Sequence, residues 1–137
     1  MNSLKNQLRN IPPPNGAGKT NDLPILEKIT QAYLQWHLAM RQMEKLSRYT
    51  LGAKIDSLFT ETLELILYSA YANEKQKLAA VQKAITKHDA LKYFLQIAWQ
   101  AKALDHKAYA RISSPLEETG KMLGGWLKHS LTTTRKR

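Results

Sequence analysis

The residues of this sequence whose type and spacing could do chemistry are cations. Two sets recur at close intervals: Arg41, Lys45 and Arg48, and then Lys83, Lys87 and Lys92. Intervals of this kind place side chains along one side of an α-helix, and rows of Lys and Arg attract the phosphates of a polyanion. A solvated helix face is the alternative interpretation, because charge runs are common and no zinc-finger or recognition-helix motif accompanies them.

The residues Gly18-Lys19-Thr20 match the last three positions of the Walker A motif, which forms a phosphate-binding loop. That loop needs an earlier glycine at the position held here by Pro13, because successive backbone N–H groups wrap the phosphates. Proline has no N–H to donate. A phosphate loop also follows a buried β-strand, and the residues before this segment lack the run of apolar, β-branched residues that would form such a strand. The Pro/Gly/Asn-rich segment is therefore predicted to be a linker.

Catalytic and metal-binding patterns are not found in the sequence. Cysteine is absent, which excludes a disulfide framework and a thiolate site. The histidines fall one to a segment: His37, His88, His106 and His129. None of them follows Glu61 or Glu64 at the Glu-x-x-His spacing of di-metal helical bundles. We predict no catalytic residue, no metal, no cofactor and no enzymatic activity.

Charge and hydropathy indicate the kind of partner and the compartment. The formal net charge is +10, from 21 Lys and Arg against 11 Asp and Glu, which favours polyanion partners. Residues 1–21 and 132–137 carry cations without acids, and are predicted to be a flexible basic N-terminal tail and a basic C-terminal tail. No apolar run is long enough to span a membrane. A cytoplasmic protein without a membrane partner is expected.

Apolar periodicity between the tails predicts a single all-α domain over residues 22–131. The predicted helices cover about 22–48, 53–72, 76–103 and 105–131, with Asp22 as the first N-cap and a break at Gly52. Pro115 is expected inside the last helix, where it would produce a kink; a helix that starts at Ser114 is the alternative. Long helices joined by short loops predict an up-down-up-down four-helix bundle.

Large apolar residues on the helical stripes define the expected core. Those predicted to be largely buried are Trp36, Leu63, Leu95, Trp99, Leu123 and Trp126. Gly120 and Gly124 lie one turn apart within such a stripe. Because glycine costs about 1 kcal/mol in a helix relative to alanine, both are predicted to permit the close approach of a neighbouring helix.

Three segments resemble the accessory variability determinant (Avd) proteins of diversity-generating retroelements: EKLSRYTLGAKI, LFTETLELILYSAYAN and GKMLGGWLKHS. The resemblance covers about 22–130. The same fold family includes four-helix proteins encoded by intervening sequences of bacterial 23S ribosomal RNA genes, but the GKMLGGWLKHS segment is more similar to the Avd branch.

The resemblance implies a basic four-helix bundle that assembles into a cyclic homopentamer. It also implies binding to a reverse transcriptase and to template-repeat RNA, and possible contact with DNA or cDNA, in support of mutagenic cDNA synthesis. By this resemblance Lys92 and Gln96 would contact the reverse transcriptase. The charge pattern, rather than the resemblance, predicts the following nucleic-acid-binding residues: Arg41, Lys45, Arg48, Lys83, Lys87, Lys92, Arg111, Lys121 and Lys128.

Two classes of function remain open from the sequence. The first is a non-catalytic, nucleic-acid-binding accessory protein of a diversity-generating retroelement. The second is a structural four-helix bundle or adaptor of the 23S rRNA intervening-sequence type, without a reverse transcriptase partner, in which the charges only keep the protein dissolved.

Overall fold

The computed structural model describes residues 23–135, and this part of the chain is helical without any strand. Its elements in order are α1 (Leu23–Gln42), α2 (Lys45–Ser47), a π-helical segment (Arg48–Gly52), α3 (Ala53–Tyr71), α4 (Glu74–Gln100) and α5 (His106–Arg135). The four long helices, α1, α3, α4 and α5, form the bundle, with α5 packed between α1 and α4. The all-α prediction is confirmed. The tail 1–21 and the N-cap at Asp22 lie outside the described residues.

The first helix ends earlier than the sequence indicated. It stops at Gln42 rather than near Arg48, because Glu44 has an extended backbone (φ −56°, ψ 143°) that turns the chain. Gly52 is not a break but part of a helix, at φ −60° and ψ −45°. Ser47 is also helical, so α2, the π-helical segment and α3 follow one another as one continuous rod.

Side-chain caps and one proline define the remaining helix boundaries. Asn73 Oδ1 accepts a hydrogen bond from the backbone N–H of Gln76 at 3.0 Å and starts α4. Pro115 lies inside α5, which begins at His106, so the alternative start at Ser114 is wrong. The helix also continues to Arg135, four residues beyond the predicted end at Leu131.

The core consists of two clusters of buried side chains, one towards each end of the bundle. Trp36 and Phe59 are fully buried in the first, with ring centroids 6.2 Å apart, and Leu123 belongs to the second. Of the residues predicted to be largely buried, Trp36, Leu95 and Leu123 are enclosed. The other three are not enclosed, but most of their surface is buried, as predicted: Leu63, Trp99 and Trp126.

A histidine lies in the core between α4 and α5. His88 is 3% exposed, and its Nε2 is 2.9 Å from the backbone oxygen of Leu116. A Cβ at Gly120 would come within 3.0 Å of His88 Cε1, so this glycine does permit a close approach. Gly124 is different: it is exposed, and a Cβ there would meet no atom of residues 23–135 within 4 Å, so the predicted close packing at Gly124 is wrong.

Burial of His88 should make the fold sensitive to acid. Burial, reinforced by the nearby Lys92 charge, lowers the pKa of His88 below its usual value. The unfolded chain therefore binds the proton first, and stability should fall as pH decreases below about 6.5. Urea midpoints recorded at several pH values from about 7.5 to about 5 would measure this slope.

His88→Gln is expected to flatten that pH dependence. His37→Gln, at an exposed position on α1, is the matched control and should keep the parent's slope. The same loss of stability on acidification in His88→Gln and in the parent would contradict the assignment to His88.

Candidate nucleic-acid interface

The first predicted set of cations is divided between three elements. Arg41 lies in the last turn of α1, Lys45 starts α2, and Arg48 starts the π-helical segment. The prediction that they follow one side of the first helix is therefore wrong, because the chain turns at Glu44 between Arg41 and Lys45. The turn keeps the three residues at one end of the bundle. Arg41 and Lys45 are exposed there.

Arg48 is occupied by the backbone of its own chain. Its Nη2 donates hydrogen bonds to the backbone oxygens of Met43 at 3.0 Å and Arg41 at 3.3 Å. These carbonyls lie at the end of α1, where no backbone N–H of the helix is available to bond to them. The helix dipole also favours a cation at this end. Arg48 stabilises the turn after α1, and only part of its guanidinium remains for a ligand.

The second predicted set lies on one helix, α4, as expected, but two of its members are paired with acids. Lys87 Nζ is 2.8 Å from Glu61 Oε2 on α3, and Lys92 Nζ is 2.8 Å from Glu117 Oε1 on α5. The hydrogen bonds from these lysines lower the pKa values of both carboxyl groups. Both pairs are partly exposed, so they contribute little to stability, yet each reduces the local positive charge.

Lys83 lies at the edge of a groove between α3 and α4. The groove has a volume of about 830 Å³ and includes Lys83, Lys87, Glu61 and Glu64. Two cations and two carboxylates leave this groove without net charge, which gives a phosphate no net attraction.

The three predicted cations of α5 differ in their surroundings. Lys121 Nζ is 3.9 Å from Glu118 Oε1, at the limit of an ion pair. Arg111 and Lys128 are exposed and form no ion pair within residues 23–135. Arg111 is near the start of the helix and Lys128 near its end, so the two residues belong to opposite ends of the bundle.

The predicted contact with the reverse transcriptase, Lys92 and Gln96, lies at a small pocket between α4 and α5. The pocket has a volume of about 290 Å³ and also includes Tyr93 and Glu117. Lys92 is held by Glu117, whereas Gln96 is exposed and Tyr93 is 63% exposed. Tyr93 was missed from the sequence because it does not lie on an apolar stripe or a charge row. An exposed tyrosine is a common anchor in protein interfaces.

Two further cations were missed, Lys102 and Lys107. They lie in the connection between α4 and α5 and at the start of α5, at the end of the bundle that also holds Arg41 and Arg111. No helical spacing along the chain relates Lys102 to the other cations. These positions come together because α5 runs antiparallel to both α1 and α4, so that its start lies beside the ends of the other two helices.

Within residues 23–135, no group of three or more His, Asp or Glu side chains is arranged to hold a metal ion. Over the same residues, none of the helices has the length and apolar character needed to cross a membrane.

Comparison with known proteins relates the chain to one family. A family model described as bAvd-like matches residues 23–130. This range contains the four bundle helices, apart from the last residues of α5, and all of the cations described above. No curated protein and no solved structure matches the chain.

Proposed function

The chain belongs to the bAvd-like family, and we propose that it is a non-catalytic accessory protein of a diversity-generating retroelement. In this proposal it binds template-repeat RNA and the element's reverse transcriptase, and it supports mutagenic cDNA synthesis. The match of the family model over residues 23–130 carries the proposal. The net charge of +10 supports the polyanion partner.

The protein's contribution is to bring the template and the enzyme together. Binding both partners raises the effective concentration of one near the other, and no covalent step by this chain is required. The reverse transcriptase is placed against Tyr93 and Gln96, because the neighbouring Lys92 is already paired with Glu117.

We place the bundle in a cyclic homopentamer, with the family membership as the main support. Large apolar side chains on the surface are consistent with further burial between subunits. Leu67 is 41% exposed and Tyr68 is 51% exposed on α3, next to the groove shared with α4. Cyclic assembly is a common way to cover such surface. Light scattering at micromolar protein concentration should give five times the mass of one chain, and a monomer mass would exclude the ring.

The proposal is tested by purification with the cognate reverse transcriptase and by cDNA synthesis on template-repeat RNA. We expect the two proteins to co-purify, and long cDNA to accumulate only when both are present. Equal yield of long cDNA with and without this protein, together with no co-purification, would leave the structural or adaptor function of the 23S rRNA intervening-sequence type.

A double variant tests the enzyme contact within that experiment. Tyr93→Ala with Gln96→Ala should weaken binding to the reverse transcriptase by about tenfold, as expected when an aromatic interface anchor is removed. Binding of RNA should stay unchanged. Lys75→Ala, an exposed change at the other end of α4, is the control and should bind like the parent. An unaffected double variant would move the enzyme contact elsewhere.

A further inference from the structure

A strongly basic cavity lies at the end of the bundle where α1 stops and α5 starts. Its volume is about 600 Å³, and Arg41, Lys102, Lys107 and Arg111 line it with a single acid, Asp105. We refer to this cavity as the end pocket. We infer that the end pocket binds backbone phosphates of nucleic acid, an assignment that rests on the nucleic-acid binding in the proposed function.

The charge of the end pocket is not balanced by its own acids. None of its four cations forms an ion pair within residues 23–135, and all four are exposed. Asp105 already accepts a hydrogen bond at 2.8 Å from the backbone N–H of Ala108, as the cap of α5. By contrast, the groove between α3 and α4 and the pocket beside Tyr93 have equal numbers of cations and carboxylates.

Lys102 occupies a backbone position that normally requires glycine. Its φ is 63°, in the left-handed region. The backbone N–H of Lys102 donates to Trp99 O at 3.0 Å, and that of Ala103 donates to Ala98 O at 2.8 Å. These bonds form a Schellman motif, in which glycine is the usual residue at this position. A lysine here is held in a strained conformation, and it lines the end pocket.

Lys107 also occupies an unfavourable position. It lies in the first turn of α5, which has no acidic residue, and the positive end of the helix dipole repels a cation there. Lys102 therefore lies where the backbone favours glycine, and Lys107 lies where the helix dipole disfavours a cation. Both residues line the same cavity. Such departures from local preference are expected where function requires them. A bound anion would relieve the repulsion among the four cations.

The loop that carries Lys102 is held firmly. Leu104 is only 3% exposed and anchors the loop in the core. Trp99 Nε1 donates to His106 Nδ1 at 3.0 Å, and the Trp99 ring stacks on Tyr109 with centroids 4.9 Å apart. These contacts join the end of α4 to the start of α5. The backbone that carries Lys102 and Lys107 is therefore fixed before a ligand binds, which reduces the entropy lost on binding.

Nucleic acid fits this cavity better than a lipid surface does. Two guanidinium groups, on Arg41 and Arg111, can each bind phosphate oxygens in a bidentate manner. An anionic membrane would instead need a basic amphipathic face with large apolar residues to insert. Of the residues that line the end pocket, Leu38 is the one large apolar side chain that is exposed, at 55%.

The assignment is tested on the full chain with a labelled single-stranded RNA of arbitrary sequence, by fluorescence anisotropy over a range of salt concentrations. The end-pocket variant combines Arg41→Gln, Lys107→Gln and Arg111→Gln. The control variant combines Lys28→Gln, Lys75→Gln and Arg135→Gln, which removes the same charge from the opposite end of the bundle. We expect the end-pocket variant to bind at least about tenfold more weakly, and its salt slope to fall by about 2 to 3. The control should change Kd by less than about threefold.

Lys102→Gly separates binding from stability. If Lys102 serves a ligand, this variant should bind RNA more weakly while its melting temperature stays the same or rises, because glycine is unstrained at φ 63°. A purely structural lysine would leave RNA binding unchanged, which would overturn the role given to Lys102.

The RNA-binding results distinguish failure of the end-pocket assignment from failure of the proposed function. If the parent binds RNA and the two triple variants bind equally, the end-pocket assignment is overturned and the proposed function stands. If the parent binds no RNA even at low salt, both are overturned. If the end-pocket variant keeps RNA binding but no longer binds phosphatidylserine vesicles that the parent binds, the cavity serves a membrane surface and the nucleic-acid assignment is wrong.

Discussion

Trp36→Ala should lower the free energy of unfolding by about 3–5 kcal/mol, the range measured for large aromatic side chains in protein cores. Trp36 is fully buried and stacks on Phe59. Its Nε1 donates to Asp56 Oδ1 at 3.2 Å, and Tyr33 Oη donates to the same oxygen at 2.9 Å. Alanine would leave a cavity between α1 and α3 and would remove one of the two hydrogen bonds that hold the Asp56 carboxylate.

Urea unfolding at a fixed protein concentration measures this loss. Trp36→Phe keeps most of the volume and should cost less, about 1.5–3 kcal/mol, since only a hydrogen bond to a charged group and part of the ring are lost. Leu38→Ala, 55% exposed on the same helix, is the control and should change stability by less than about 0.5 kcal/mol. A loss below about 1 kcal/mol in Trp36→Ala would show that α1 is not fixed to α3 through this side chain.

The helices could be predicted because their apolar stripes are long and regular. Ile112, Leu116 and Leu123 on α5 lie at helical spacing, and all three are buried against the core. The pattern continues on both sides of Pro115, and for that reason it predicts a helix that starts near 105, within one residue of the observed start at His106. Periodicity reports which face is buried, so it identifies a helix even where a proline interrupts the hydrogen bonds.

The end of α1 could not be predicted because the same pattern continues through the turn. Met40 and Met43 keep helical spacing, and Met43 is buried at the junction after α1. The extended residue, Glu44, is neither glycine nor proline and gives no signal of a turn. Gly52, which does resemble a break, is buried in the π-helical segment, where a Cβ would lie 3.7 Å from Met43 Sδ.

The charge pattern along the chain predicts the surface less well than the hydrophobic pattern predicts the core. Lys87 and Glu61 are far apart in the sequence and form a contact only because α3 and α4 are antiparallel neighbours. A row of lysines on one helix therefore looked more basic than it is. The reverse holds for the end pocket, whose cations come from α1, the loop after α4 and α5. Their concentration depends on the topology, which a linear charge count does not describe.

The described surface divides the proposed tasks between different parts of the bundle. The end pocket gathers unpaired cations where α1 stops and α5 starts. The pocket with Tyr93 and Gln96 lies along the side, between α4 and α5. Both pockets involve α5 but are lined by different residues, so RNA and the enzyme could be bound at the same time. Variants in one pocket should therefore leave binding at the other intact. This independence is what a protein that joins two partners requires.

Leucine at Gly120 and at Gly124 should have opposite effects on stability. A Cβ at Gly120 would lie 3.0 Å from His88 Cε1, and His88 is fixed by its contact with Leu116 O at 2.9 Å. The ring cannot move aside without loss of that contact, so Gly120→Leu should cost about 1–3 kcal/mol through overpacking. Gly124 is exposed, and the described part of the chain places no atom within 4 Å of a Cβ added there. Gly124→Leu should therefore stabilise α5 by up to about 0.8 kcal/mol through helix propensity.

The free energy of unfolding of both variants is measured in urea, and the mass of the assembly in solution is measured in parallel. Gly120→Ala adds only the Cβ and should already be less stable than the parent, whereas Gly124→Ala should be more stable. Stability gained at both positions would show that His88 has room to move. A loss at Gly124 accompanied by a smaller assembly would place that glycine against another subunit, because an exposed helical glycine with open space around it gives a single chain no reason to lose stability.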